Sequence, residues 1–89
     1  MSGNFEEFVE KIKNTVDIVD FISDYVPLKR SGNNYKGLCP FHQEKTPSFN
    51  VNQENQFYYC FGCGAGGDLF KFLMEIENIT FKEALEVLA

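Results

Sequence analysis

The sequence predicts an α+β fold, a small antiparallel sheet of about three to five short strands flanked by N- and C-terminal helices. Three observations predict it. Apolar residues recur at helical spacing near both ends of the chain. The middle holds short runs suited to strands, punctuated by turn residues. Two cysteine-containing pairs, CxxH and CxxC, sit beside those runs.

The elements follow in order. Phe5, Phe8, Val9 and Ile12 make one apolar stripe, so 5–13 reads as a helix, with Asn4 as its cap and Glu7 three residues on completing a capping box. Ile18, Phe21, Ile22 and Tyr25 share one side of a second short helix over 16–24, which Pro27 stops. Gly32 with Asn33 and Asn34 marks a turn. Tyr35 to Leu38, Ser48 to Val51 and Phe57 to Cys60 read as strands, and Asn52 to Asn55 as a hairpin turn. Leu69, Phe72, Leu73 and Ile76 restore the helical stripe over 69–77, capped by Asp68. Phe81, Ala84, Leu85 and Leu88 repeat it over 81–88, with Thr80 and Glu83 as a second capping box. All these stripes read first as core packing.

With 89 residues the chain suits one small domain, 1–89, of the size that needs a staple. No apolar run approaches a membrane span and no signal peptide is visible, so a cytoplasmic location without membrane contact is expected. In that compartment clustered cysteines point to metal rather than to disulfides.

The formal net charge of −5 argues against a generally basic nucleic-acid binder. The charge is uneven, however. Residues 1–26 carry −4 and residues 65–89 carry −3, whereas 27–64, with Lys29, Arg30, Lys36 and Lys45 against Glu44 and Glu54, carries +2.

Cys39-Pro-Phe-His42 and Cys60-Phe-Gly-Cys63 are separated by 17 residues, which suits a hairpin that brings the two pairs together. Zinc takes four sulfur or nitrogen ligands in a tetrahedron, and three cysteines with one histidine are a standard structural set. All three cysteines and the single histidine are used. Cys39, His42, Cys60 and Cys63 are therefore expected to hold one structural zinc ion in a zinc ribbon. Three buried apolar cysteines beside a chance histidine would be the plainer reading, but chance does not supply both CxxH and CxxC. His42-Gln43-Glu44 ahead of Cys60-x-x-Cys63 also resembles zinc nucleobase deaminases. There zinc keeps an open position for water, which Cys39 would close, and residue 59 is Tyr59 rather than proline.

The stretch Tyr35-Lys-Gly-Leu-Cys-Pro-Phe-His-Gln-Glu-Lys-Thr-Pro-Ser-Phe-Asn-Val51 closely resembles the zinc-binding domain of bacterial DnaG-type primases, as does Gln56-Phe-Tyr-Tyr-Cys-Phe-Gly-Cys-Gly-Ala-Gly-Gly-Asp68. The resemblance covers roughly residues 12 to 89. It implies a zinc ribbon on an antiparallel sheet, binding single-stranded template DNA and supporting the start of RNA primers. It further implies that polymerisation, with its own divalent metal, belongs to a following polymerase domain, that a C-terminal region meets the replicative helicase, and that these 89 residues are a non-catalytic N-terminal fragment of the enzyme. Position 59 is tyrosine where the family commonly has histidine, and Asn33 and Asn55 stand where basic residues are frequent.

Single strands are held by cations on phosphates and aromatic faces on bases. Lys29, Arg30, Lys36 and Lys45 are the candidate phosphate contacts, Tyr35, Phe49 and Tyr58 the candidate stacking platforms, and Thr46 and Ser48 candidate hydroxyl contacts. Against this, Phe49 and Phe57 also suit a core, and lone lysines are usually solvated surface. Alternation places Phe57 and Tyr59 on one face of their strand and Tyr58 with Cys60 on the other. A zinc ribbon used mainly for protein contact, docking on and regulating the polymerase domain in cis or in trans, is the alternative, since the acidic ends suit a protein partner.

Overall fold

The computed structural model describes residues 2–43 and 45–88, with side chains from Glu6 onward. Helix α1 (Ser2–Thr15) and helix α2 (Ile18–Ser23) lead into five strands, β1 (Lys29–Ser31), β2 (Asn34–Gly37), β3 (Phe49–Asn52), β4 (Phe57–Cys60) and β5 (Gly66–Gly67). Helices α3 (Leu69–Glu77) and α4 (Phe81–Leu88) close the chain. The strands form one antiparallel sheet in chain order, β1-β2-β3-β4-β5.

Local chemistry explains most boundaries. Asp17 caps α2 by accepting from the Asp20 N–H at 3.1 Å. Asp68 caps α3 through the Lys71 N–H at 3.0 Å, and Asn78, at φ 57°, ends it in the left-handed region. Thr80 and Glu83 form the reciprocal capping box of α4: the Thr80 N–H donates to Glu83 Oε1 at 2.9 Å and the Glu83 N–H to Thr80 Oγ1 at 3.2 Å. The first helix differs from expectation. Its helical backbone begins at Ser2, so Asn4 lies inside α1 rather than capping it, and the side chains of Asn4 and Phe5 lie outside the described residues. Gly32, at φ 64°, opens a two-residue turn between Ser31 and Asn34.

The sheet has a covered and an open face. Phe49, Val51, Tyr58 and Cys60 are fully buried on the first, beneath Phe72 of α3 and Ile18 and Ile22 of α2. An aromatic cluster fills this layer. Phe72 meets Tyr58 edge-on at 5.5 Å between centroids, and Phe41 lies 5.6 Å from Phe72 and 6.0 Å from Tyr58. Gly37 is needed where β2 passes the α2–β1 connection, because a Cβ there would come 2.6 Å from the Pro27 carbonyl oxygen. Lys13 on α1 reaches Asp68 at 3.0 Å, linking the first helix to the cap of α3.

Candidate zinc centre and sheet face

The two ligand pairs meet because β2 and β4 both flank β3. Gly37, Phe49 and Cys60 lie in one cross-strand row. The chain leaving β2 reaches Cys39 two residues past that row, and the chain leaving β4 turns at Cys60 itself. The second turn is closed by Gly64 N–H to the Cys60 carbonyl and Cys60 N–H to the Ala65 carbonyl, both 2.8 Å. The Phe61 N–H donates to the Ser48 carbonyl at 2.9 Å and ties that knuckle to the start of β3.

The ligand atoms of Cys39, His42, Cys60 and Cys63 all lie within 4.8 Å of one another. Cys39 Sγ and Cys63 Sγ are 3.8 Å apart, and Cys60 Sγ is 4.0 Å from His42 Nδ1. A tetrahedron of about 2.3 Å zinc–sulfur bonds places its sulfurs roughly 3.8 Å apart. The donor set therefore fits one zinc ion, and Cys39 supplies the fourth ligand that leaves no position for a reactive water. The deaminase-like arrangement is excluded on that ground; Glu44, its expected proton shuttle, lies outside the described residues.

The surroundings distinguish the sulfurs. Burial raises the Cys39 thiol to about 12, although the Phe41 N–H donates to its sulfur at 3.4 Å. Burial also acts to raise Cys60, but hydrogen bonds from the Ser48 hydroxyl and the Cys63 and Gly62 N–H groups outweigh it and bring that thiol down to about 7. Cys60 thus ionises more readily than Cys39, with its hydrogen-bond partners supplied by the knuckle and by Ser48.

The same geometry sorts the candidate DNA contacts. Phe49 and Tyr58 are both fully buried, and their rings pack on Phe41 and Phe72, so neither can stack on a base. Both belong to the core because the face they share with Cys60 is the one the helices cover. Ser48 turns its hydroxyl to Cys60 Sγ at 3.5 Å rather than to the open face. Tyr35 is half-buried on the covered side, opposite Arg30 in the β1–β2 pair. The guanidinium of Arg30 is exposed, and its Nε donates to the Gly32 carbonyl at 3.3 Å. Lys45 and Thr46 are exposed in the loop after the first knuckle.

On the open face one cross-strand row reads Lys29, Lys36, Asn50, Tyr59, Gly66. Tyr59 lies over Gly66, where a Cβ would come 2.9 Å from its Cδ1, and it meets Phe61 edge-on at 4.9 Å. Phe61 is 73% exposed and Tyr59 41%. Tyr59, Phe61 and Asn50 were not among the expected contacts. The signal was present in the sequence: once Cys60 is a buried ligand, alternation buries Tyr58 and turns Tyr59 outward.

The CHC2 zinc finger family profile matches residues 4–89. The chain belongs to the CHC2 zinc finger family. Two relatives of this CHC2 domain are the DNA primases of Geobacillus stearothermophilus and Halalkalibacterium halodurans, 63% and 58% identical over 84 residues. Each alignment covers 94% of this chain and 14% of the relative. The domain thus spans about one seventh of those primases. A crystal structure of the Aquifex aeolicus primase, comprising zinc-binding and RNA polymerase domains, superposes with a TM-score of 0.87 at 45% identity, over 92% of this chain and 20% of that one. This CHC2 domain is of the primase zinc-binding type. Among the described residues no helix is long and apolar enough to cross a membrane.

Proposed function

We propose that this domain binds single-stranded template DNA on the open face of its sheet and supports the initiation of RNA primers by a cytoplasmic DNA primase. The observation that carries the reading is the row of Lys29, Lys36, Asn50 and Tyr59, with Phe61 beside it, all turned away from the helices. Cations spaced beside exposed rings are what a flexible single strand requires, since phosphates and base faces can be met in succession. Acidic helices lie on the far side, so the domain is electrostatically two-faced and the strand is directed to the sheet.

In this reading Lys29 and Lys36 meet phosphates, and Arg30, Lys45 and Thr46 add contacts from the rim. Zinc, when bound, locks the two knuckles together and so fixes Cys60, the end of β4 and the setting of Tyr59 and Phe61. Nucleotidyl transfer, with its divalent metal, is assigned to a following polymerase domain, and helicase contact to a region further on. The test is fluorescence anisotropy of the zinc-loaded domain with labelled single-stranded DNA, together with primer yield from the full-length enzyme. Unchanged affinity and unchanged yield in the Lys29→Ala, Lys36→Ala double variant would overturn the reading.

One observation favours a second role. Phe8, Ile12, Val16 and Leu88 line an apolar groove of about 290 Å³ between α1 and α4, with Phe8 and Val87 substantially exposed. That groove, on the helical side, suits docking on the polymerase domain while the sheet holds DNA.

A further inference from the structure

The two glycines of β5 are there for different reasons. Gly67 lies at φ 153°, a backbone that side chains rarely adopt, and a Cβ there would come 2.5 Å from Lys71 Cγ. Gly66 has no such φ, since the positive-φ glycines among the described residues are Gly32, Gly64 and Gly67. What excludes a side chain at Gly66 is chiefly the Tyr59 ring. A Cβ would come 2.9 Å from Tyr59 Cδ1, against 3.1 Å from the Tyr58 carbonyl oxygen. Tyr59 is the cross-strand partner of Gly66, so its ring leans across the gap and rests on bare backbone. Phe61 meets the same ring edge-on at 4.9 Å, yet 41% of Tyr59 stays open to solvent. The knuckle holds this seat in register, because the Cys60 N–H donates at 2.8 Å to the carbonyl of Ala65, the residue before Gly66.

We propose that Gly66 is a positioning residue of the single-strand site: its missing side chain seats the Tyr59 ring as a preset platform on which one unpaired base stacks. This rests on the DNA-binding reading above. Gly66 acts through the ring rather than on the strand. A loose tyrosine must give up rotamer freedom when a base stacks on it. A ring already seated has given that freedom up on folding, so more of the stacking energy appears as affinity. Every base has a π-face, so the platform adds affinity without choosing a base.

The test is a double-mutant cycle, read by fluorescence anisotropy of labelled oligo-dT with the zinc-loaded chain. Tyr59→Ala is expected to weaken binding by about fivefold to 150-fold, the range of one lost stacking contact. Gly66→Ala is expected to weaken it by about twofold to tenfold, the cost of ordering one side chain again, at unchanged zinc stoichiometry. In the Tyr59→Ala background, where no ring is left to displace, Gly66→Ala is expected to change nothing. Proton NMR of the DNA-free wild type is expected to show cross-peaks between the Tyr59 ring and the Gly66 α-protons, and their absence overturns the seat. Equal losses from Gly66→Ala in both backgrounds, or no loss in either, overturn the assignment of Gly66. If Gly66→Ala alone loses zinc, a Gly66→Ala, Tyr59→Ala double variant that regains it supports the seat, and one that does not overturns it. Unchanged affinity in Tyr59→Ala overturns the platform and leaves the lysine face standing. Failure of the wild type to bind overturns the DNA-binding reading as well.

Discussion

Gln56 clamps Asp17 across the fold. Gln56 Nε2 donates to Asp17 Oδ1 at 3.0 Å, and its Oε1 accepts the Ile18 N–H at 2.8 Å. One side chain in the β3–β4 turn thus completes the N-terminus of α2. It does so from a strained position, since Gln56 sits at φ 56°. Gln56→Ala keeps the strain and removes both bonds, leaving the N–H of fully buried Ile18 without its acceptor. A loss of about 1–3 kcal/mol is expected in denaturant unfolding of the zinc-loaded domain. A change near zero would mean that the clamp contributes nothing.

Tyr58 carries the opposite lesson. Its ring is at the centre of the aromatic cluster, yet its buried hydroxyl has no hydrogen-bond partner among the described residues, and burial, with Glu75 and Asp68 nearby, pushes its ionisation well above the ordinary tyrosine range. Tyr58→Phe removes only the orphaned hydroxyl. Stability is expected to stay level or rise by about 1 kcal/mol, with DNA affinity unchanged. Clear destabilisation on calorimetry would show that the hydroxyl is satisfied in solution.

How the four-residue strand FYYC faces its surroundings shows where sequence reasoning stops. Alternation assigns Tyr58 and Tyr59 to opposite faces but does not say which face the helices cover; that is decided by α2 and α3, which are distant in sequence. Caps behave differently. Asp68, Thr80 and Glu83 act on backbone groups within three residues, so α3 and α4 match their expected limits. A sheet of three to five strands was expected, but the segments of β1 and β5 could not be assigned to it, because three exposed polar residues and two glycines carry no alternation, and only pairing with β2 and β4 makes them strands. The four metal ligands were legible because coordination chemistry restricts residue type and spacing together.

Acid should weaken the fold through two carboxylates. Burial acts to raise both Asp17 and Asp68, but the hydrogen bonds each accepts outweigh it, and the Lys13 ammonium adds to the effect at Asp68, so both lie below the ordinary carboxylate value. A group depressed in the folded state contributes stability that is present above its unfolded pKa and lost as pH falls through the folded one. The stability advantage of the wild-type over an Asp17→Asn, Asp68→Asn variant is therefore expected to be full near neutrality and to shrink below about pH 4. Measuring the difference between the two proteins removes the effect of acid on the zinc site, and an advantage independent of pH would contradict the assignment.

Zinc uptake should expel protons. Cys39 holds its proton at neutral pH in the metal-free site, and Cys60 is protonated increasingly below about pH 7. Apparent zinc affinity is expected to fall at least about a hundredfold per pH unit well below neutrality, about tenfold for each thiol that must give up its proton. Competition with a chromophoric chelator at several pH values measures the slope. Full removal of zinc is expected to unfold the sheet, because structural zinc in small modules supplies on the order of 10 kcal/mol; a near-ultraviolet spectrum unchanged by chelation would refute a structural role.

The open face also makes a salt prediction. Each lysine that meets a phosphate should contribute roughly 0.7 to the slope of log affinity against log salt for single strands. Lys29→Ala with Lys36→Ala is expected to flatten that slope by about 1.4 at unchanged zinc content. Arg30→Ala, on the covered side of β1, is expected to flatten it less. Equal slopes in the wild-type and double variant would remove both lysines from the contact.

The rims of the sheet have a consequence for self-association. At one rim β1 is three residues long and carries Lys29 and Arg30; at the other β5 is two glycines. A second molecule joining rim to rim through an antiparallel β1 pair would have to oppose like cations, and two glycines give too little ladder to hold a neighbour. The cations of β1 thereby guard the sheet against edge-to-edge aggregation.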